Sequence, residues 1–118
     1  MPKKIPGPSE SAIQTQILTY LGHKQVFVWR NNSGALINPK GRPVRFGRPG
    51  SADILGLQRG TGRFIAIEVK KPDTLKSLTD LQRGFLEDIH DYGGLAGVAT
   101  CLEDVDRILG GEYLIPAT

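Results

Sequence analysis

The sequence holds a single cysteine, Cys101, which excludes a disulfide within the chain and any cysteine-rich zinc site. It contains no run approaching the ~18 apolar residues of a membrane span. Its start, Met1-Pro2-Lys3-Lys4-Ile5-Pro6-Gly7-Pro8, lacks the long apolar centre of a signal peptide. The expectation is a cytoplasmic protein with no membrane partner. The two histidines, His23 and His90, have no metal-ligand spacing to a neighbour and receive no role. Internal repeats and low-complexity tracts are also missing. What remains is a chain of 118 residues with a globular hydrophobic fraction of 39%, enough for one domain with one core. Its net charge of +3 is compatible with a polyanionic partner without singling one out.

The stretch from Gly50 to Lys70 organises the rest. Two apolar runs, Ile54-Leu55-Gly56-Leu57 and Phe64-Ile65-Ala66-Ile67-Glu68-Val69, flank Gln58-Arg59-Gly60-Thr61-Gly62-Arg63, a turn signal, so a β-hairpin is expected. Strand side chains alternate faces, so Ile65, Ile67 and Val69 point one way, and Phe64, Ala66, Glu68 and Lys70 the other. Pairing Leu57 with Phe64 brings Leu55 opposite Ala66 and Asp53 opposite Glu68. Like charges so placed destabilise a sheet unless something sits between them. A divalent cation with oxygen ligands removes the repulsion. Two carboxylates and a lysine on adjacent strands form the pattern of a metal-dependent phosphodiester-cleaving site. Hard oxygen donors without Cys/His clustering point to Mg²⁺ or Mn²⁺ rather than zinc.

Asp53, a gap of fourteen residues, and Glu68-Val69-Lys70 resemble the PD-(D/E)xK nuclease superfamily. Gly50-Ser51-Ala52-Asp53, the Ile67-Glu68-Val69-Lys70 strand, the later Gln82 and an acid in the first helix, Glu10, resemble its VRR-NUC branch. The resemblance runs over roughly residues 9 to 109 and departs at Ser51-Ala52, where the superfamily pattern has a proline. It implies a restriction-endonuclease-like α/β core and a DNA endonuclease in which Asp53 and Glu68 hold Mg²⁺ or Mn²⁺, with the Val69 carbonyl as a further oxygen. Lys70 would position the attacking water or stabilise the transition state. Glu10 would bind metal directly or through water, and Gln82 would orient the water or Lys70. Stand-alone relatives of the phage and bacterial kind are implied to be homodimers acting on branched DNA such as four-way junctions.

In chain order, residues 1 to 8 read as a flexible basic arm and residues 9 to 118 as the domain. A first helix starts near Ser9 and stops before Gly22, with Ile13, Ile17 and Leu21 inward. Glu10 at its start is either a first-turn acid favoured by the helix dipole or part of the site. Its company with Asp53 and Glu68 favours the site. Val26-Phe27-Val28-Trp29 reads as a strand with Trp29 in the core. Ala35-Leu36-Ile37 and Val44-Arg45-Phe46 suggest a second hairpin with a basic tip. Arg30, Lys40, Arg42, Arg45 and Arg48 are the candidate phosphate contacts. Thr79-Asp80-Leu81-Gln82 fits a capping box before a helix of Leu81, Phe85, Leu86 and Ile89. Gln82 is therefore a helix cap or a site residue, with equal support for each. Leu95 to Ala99 is a short buried strand. Thr100-Cys101-Leu102-Glu103 repeats the capping pattern before a last helix, with Cys101 buried.

These elements form a mixed central β-sheet flanked by α-helices, an α/β sandwich. Two other functions compete with cleavage. A non-catalytic DNA-binding module would use Asp53, Glu68 and Lys70 as a structural ion-pair cluster, in which a lone lysine leaves two carboxylates incompletely compensated. A protein-binding accessory factor accounts for neither the basic hairpin nor the acidic pair. A homodimer would need a spare apolar patch, for which Leu18 and Tyr20 or the tail residues Tyr113, Leu114 and Ile115 are the candidates.

Overall fold

The structure is a computed structural model that describes residues 7–117. The basic arm expected over residues 1 to 8 lies, except for Gly7 and Pro8, outside the described residues. Helix α1 (Glu10–His23) begins where Ser9 caps it, the serine Oγ accepting the Ala12 N–H at 3.1 Å. Ile13, Ile17 and Leu21 recur every four residues and are buried as one stripe. The helix continues through Gly22 instead of stopping before it. Leu21 anchors the last turn in the core, and one glycine there costs at most ~1 kcal/mol. The chain turns instead at Gln25, in the left-handed region at φ 59°.

Among the described residues six strands follow, in two sheets. Strands β1 (Phe27–Arg30), β4 (Ile54–Leu57), β5 (Phe64–Val69) and β6 (Leu95–Ala99) make a four-stranded sheet in the order β1-β4-β5-β6. The first three run antiparallel to their neighbours, and β5 pairs with β6 in parallel. Strands β2 (Gly34–Ile37) and β3 (Pro43–Phe46) pair only with each other. Helices α1 and α3 (Leu102–Leu109) cover one face of the large sheet, over Ile54, Ile65, Ile67 and Val69. Helix α2 (Asp80–Asp91) covers the other, over Ala52, Ala66, Ala96 and Val98. The mixed sheet between helices is therefore present as expected, and among the described residues no helix is long and apolar enough to cross a membrane.

Several local expectations are corrected. Trp29 is 40% exposed, edge-on to Phe27, on β1, which forms an edge of the sheet. Leu81 faces solvent on the first turn of α2, and Leu86 is the buried residue of that helix. Thr100 does not cap α3 through Glu103. Its N–H and Oγ1 both donate to Asp104 Oδ2, at 2.8 and 2.9 Å, and Cys101 at the N-cap is exposed. A 3-10 helix, Pro72–Ser77, follows β5, its start favoured by the fixed φ of Pro72. Leu18, Tyr20 and Leu114 pack against the core and Ile115 lies within it. All four thus contribute to the monomer's own core, three of them with part of their surface still exposed. Tyr113 stacks edge-on against His90.

Candidate active site

The β4–β5 turn fixes the register on which the site depends. Leu57 faces Phe64, Leu55 faces Ala66 and Ile54 faces Ile67. One residue further, Asp53 comes beside Glu68, and its Oδ2 accepts the Val69 N–H at 2.8 Å. Glu68 shares its face with Ala66 and so lies on the α2 side of the sheet.

Asp53 is held from behind by a residue to which sequence reasoning gave no role beyond a turn. The Asn31 N–H donates to the Asp53 carbonyl at 2.7 Å, and its Nδ2 donates to Ser51 Oγ and the Ala52 carbonyl at 2.7 and 2.9 Å. The turn composition of Arg30 to Gly34 was the only sequence signal pointing to it. The approach of this loop to α2 needs glycine at position 50. Its φ is +80°, and a Cβ there would lie 2.8 Å from the Leu81 backbone.

Glu68 is 3% exposed. Its Oε1 accepts from Gln82 Nε2 at 3.4 Å, while its Oε2 is buried with no hydrogen-bond partner among the described residues. Burial, reinforced by the neighbouring Asp53 carboxyl, pushes the Glu68 carboxyl up to about 9, with Lys70 acting in the opposite direction and Glu10 adding slightly. The two functions weighed for Gln82 occur together. Its Oε1 accepts the Thr79 N–H at 3.0 Å, and Thr79 Oγ1 accepts the Gln82 N–H at 3.1 Å, completing the capping box. The box fixes the side chain that aims an amide at Glu68.

Lys70 is 7% exposed, and its N–H donates to the Ala99 carbonyl at 3.1 Å. Among the described residues the ion pairs within 4.0 Å include neither Lys70 nor Asp53 nor Glu68. The ion-pair cluster required by a purely structural reading is therefore not formed. Glu10 raises the Glu68 carboxyl through its charge alone. Among the described residues no group of three His, Cys, Asp or Glu side chains gathers at metal-holding spacing. Val69 is fully buried, its N–H engaged by Asp53.

The candidate phosphate contacts fall into two places. Lys40, Arg42, Arg45 and Arg48 are exposed on or beside the β2–β3 hairpin. Arg30, at the end of β1, is turned toward α1 and donates to Thr15 Oγ1 at 3.2 Å.

A scan against protein-family models finds none that matches this chain, and a search of curated proteins finds no match either. The donors themselves fit a hard divalent cation. Two carboxylates stand side by side, and one buried carboxylate oxygen lacks any partner, which is a costly arrangement unless a proton or cation occupies it.

Proposed function

We propose that this protein is an Mg²⁺- or Mn²⁺-dependent DNA endonuclease that hydrolyses phosphodiester bonds, selective for branched DNA such as four-way junctions. The observation that carries the reading is the unpartnered, buried Oε2 of Glu68 beside Asp53. In the metal-free protein a proton shared with Asp53 can occupy that oxygen, and a bound cation would take the proton's place between the two carboxyls. Asp53 and Glu68 would hold the ion, with the Val69 carbonyl as the further oxygen that the resemblance implies. When bound, such an ion supplies Lewis-acid activation of water and charge neutralisation at the scissile phosphate.

The chain's own groups do the rest. Val69 N–H fixes Oδ2 of Asp53 and so holds this carboxyl beside Glu68. The Gln82 amide orients Glu68 by holding Oε1, so that Oε2 points free. Lys70, buried and outside the ion pairs, has its side chain available for the phosphate oxygens as negative charge grows on them. Glu10, whose charge raises the Glu68 carboxyl least among its neighbours, would bind the ion directly or through water. Lys40, Arg42, Arg45 and Arg48 bind backbone phosphates beside the site.

The dimer expected from the resemblance belongs to this reading too. Its contact would use the exposed patch of Phe27, Trp29 and Leu57 along the β1 edge, where Phe27 faces Leu57. The deciding experiment incubates the protein with labelled junction, flap, single-stranded and linear duplex DNA, with Mg²⁺, Mn²⁺ or EDTA. Metal-dependent cuts in the branched substrates are expected. Intact DNA in every metal-containing lane would end the proposal.

A further inference from the structure

The β2–β3 hairpin combines two surface properties that seldom occur together. Its register pairs Gly34 with Phe46 and Leu36 with Val44 on one face, and Ala35 with Arg45 on the other. On the first face Leu36, Val44 and Phe46 are 66%, 48% and 41% exposed. The Phe46 ring lies over Gly34, where a Cβ would come within 3.0 Å of its Cζ. A two-stranded hairpin is marginal in water on its own, and an arm meant only for solvent would carry polar residues here.

Charge identifies the kind of partner. Between Glu10 and Asp53 the sequence has no acidic residue, while Lys24, Arg30, Lys40, Arg42, Arg45 and Arg48 all fall within that interval. A second copy seated on the hairpin would bring two cationic tips, each with Lys40 and Arg42, close to one another, although Arg45 lies on the opposite face. A polyanion meets them favourably. The polyanion must also present flat apolar surface to Leu36, Val44 and Phe46. Linear duplex DNA hides its base faces in the stack, and a branch point opens them.

Both stems of the hairpin end at the site. Asn31 leaves β1 and clamps Ser51, Ala52 and Asp53 on the returning chain. At ~3.3 Å per residue the chain from Asn31 to Ile37, at the base of the tip, spans at most about 20 Å. Bases next to a phosphate at Asp53 are thus within the hairpin's reach.

We infer that the β2–β3 hairpin is a branch-point probe. Leu36, Val44 and Phe46 cover the base pair left unstacked where DNA strands diverge, and Lys40, Arg42, Arg45 and Arg48 hold the flanking phosphates. The inference takes its choice of DNA from the nuclease reading, but its test does not depend on cleavage.

The test measures binding in EDTA to a four-way junction and to linear duplex of the same sequence, with 2-aminopurine at the branch. The wild-type chain should prefer the junction by roughly tenfold, the size of one base stacked on an aromatic ring, and should quench the 2-aminopurine. The triple variant Leu36→Ser, Val44→Ser, Phe46→Ala should keep its duplex affinity, lose the preference and leave the probe bright. Phe46→Trp should retain the preference, its own emission falling on junction binding. Should the triple variant not fold by circular dichroism, the single Phe46→Ala change is read by the same ratio. An unchanged junction-to-duplex ratio in the variant overturns the inference. A wild-type dimer that the variant reduces to a monomer, again with the ratio unchanged, gives the face to a second copy instead. Failure of the wild type to cut any DNA with metal, alongside an intact and Phe46-dependent preference, removes the nuclease reading and leaves the probe standing.

Discussion

The chain contains two hairpins that differ in almost everything except their local sequence signals. In β2–β3 and in β4–β5, short apolar runs flank a glycine-bearing turn. The first ends exposed and cationic, and the second ends buried and acidic. The difference comes from residues far away in sequence. Strand β5 has β6 along its free edge and helices over both faces, so Ile65, Ile67 and Val69 each contribute the roughly 1.5–3 kcal/mol of a fully buried aliphatic side chain. Strand β3 has only β2. Burial by distant elements turns Glu68 into a chemically unusual carboxyl, and its absence leaves Lys40 and Arg42 as ordinary solvated cations. One hairpin is suited to chemistry and the other to contact.

The buried side of this contrast breaks most completely at Asp53. Asp53→Asn keeps the shape and most hydrogen bonding but removes one charge from the acidic pair. Cleavage should fall about a thousandfold, corresponding to several kcal/mol of transition-state charge stabilisation at ~1.4 kcal/mol per tenfold. DNA affinity in EDTA should stay within about twofold, since the phosphate contacts lie elsewhere. Single-turnover cleavage beside a binding isotherm measures both. Wild-type cleavage by the variant would remove Asp53 from the mechanism.

Glu68 sharpens the same side through stability. Its carboxyl is raised from 4.5 to about 9 in the folded protein. Above pH ~4.5 the unfolded chain loses this proton while the folded chain keeps it, so the folded state binds more protons across that window. Stability therefore falls as pH rises from about 4.5 toward 9 in metal-free protein. Glu68→Gln abolishes the slope. In EDTA the variant should exceed the wild type at pH 8 by on the order of a few kcal/mol, and the gap should close toward pH 5. Urea denaturation at the two pH values gives the comparison, and a gap that does not depend on pH would show that Glu68 is not held protonated.

The exposed hairpin is broken by charge. Replacing Lys40 and Arg42 with glutamate should weaken DNA binding about tenfold or more in moderate salt. It should also flatten the dependence of log affinity on log salt by about 0.9 for each phosphate the hairpin no longer neutralises. The fold should be unaffected, because neither side chain touches the large sheet. An unchanged salt slope would return the hairpin tip to plain solvation.

The parts of this contrast that sequence could supply are those set by near neighbours. The turn length between Leu57 and Phe64 dictated the antiparallel register, and with it the meeting of Asp53 and Glu68. The Thr79–Gln82 box was visible for the same reason, and its second bond, to Glu68, follows from where the box sits. Burial was harder to read. Trp29, Leu81 and Cys101 lie in segments of the expected type, but their exposure depends on which strand became the sheet edge and how far each helix reached. Asn31 escaped notice because its bonds cross twenty residues to a loop that no periodicity describes. At Thr100 the ingredients of a capping box were present, but the acid used stands four residues on instead of three, and the threonine donates where a cap would accept.

The smallest effect tests the comparison directly, at one turn glycine in each hairpin. Gly41 has φ +77° and Gly60 has φ +84°, and a Cβ on either would meet nothing within 4 Å. Alanine at each position therefore adds the same local penalty, the ~1–2 kcal/mol of placing an L side chain in the left-handed region, without a clash. What differs is the structure that depends on the turn. The Gly60 turn joins the two central strands, so Gly60→Ala should lower the stability of the whole domain and reduce Tm by several degrees, at about 4–8 °C per kcal/mol for a domain near this size. The Gly41 turn closes only β2–β3, which shares no strand pairing with the large sheet. Gly41→Ala should leave Tm where it was and instead speed hydrogen exchange at the β2 and β3 amides, a local opening that global unfolding does not register. Equal Tm losses in the two variants would mean that the exposed hairpin is coupled to the core, and that the two hairpins are not the independent units their burial implies.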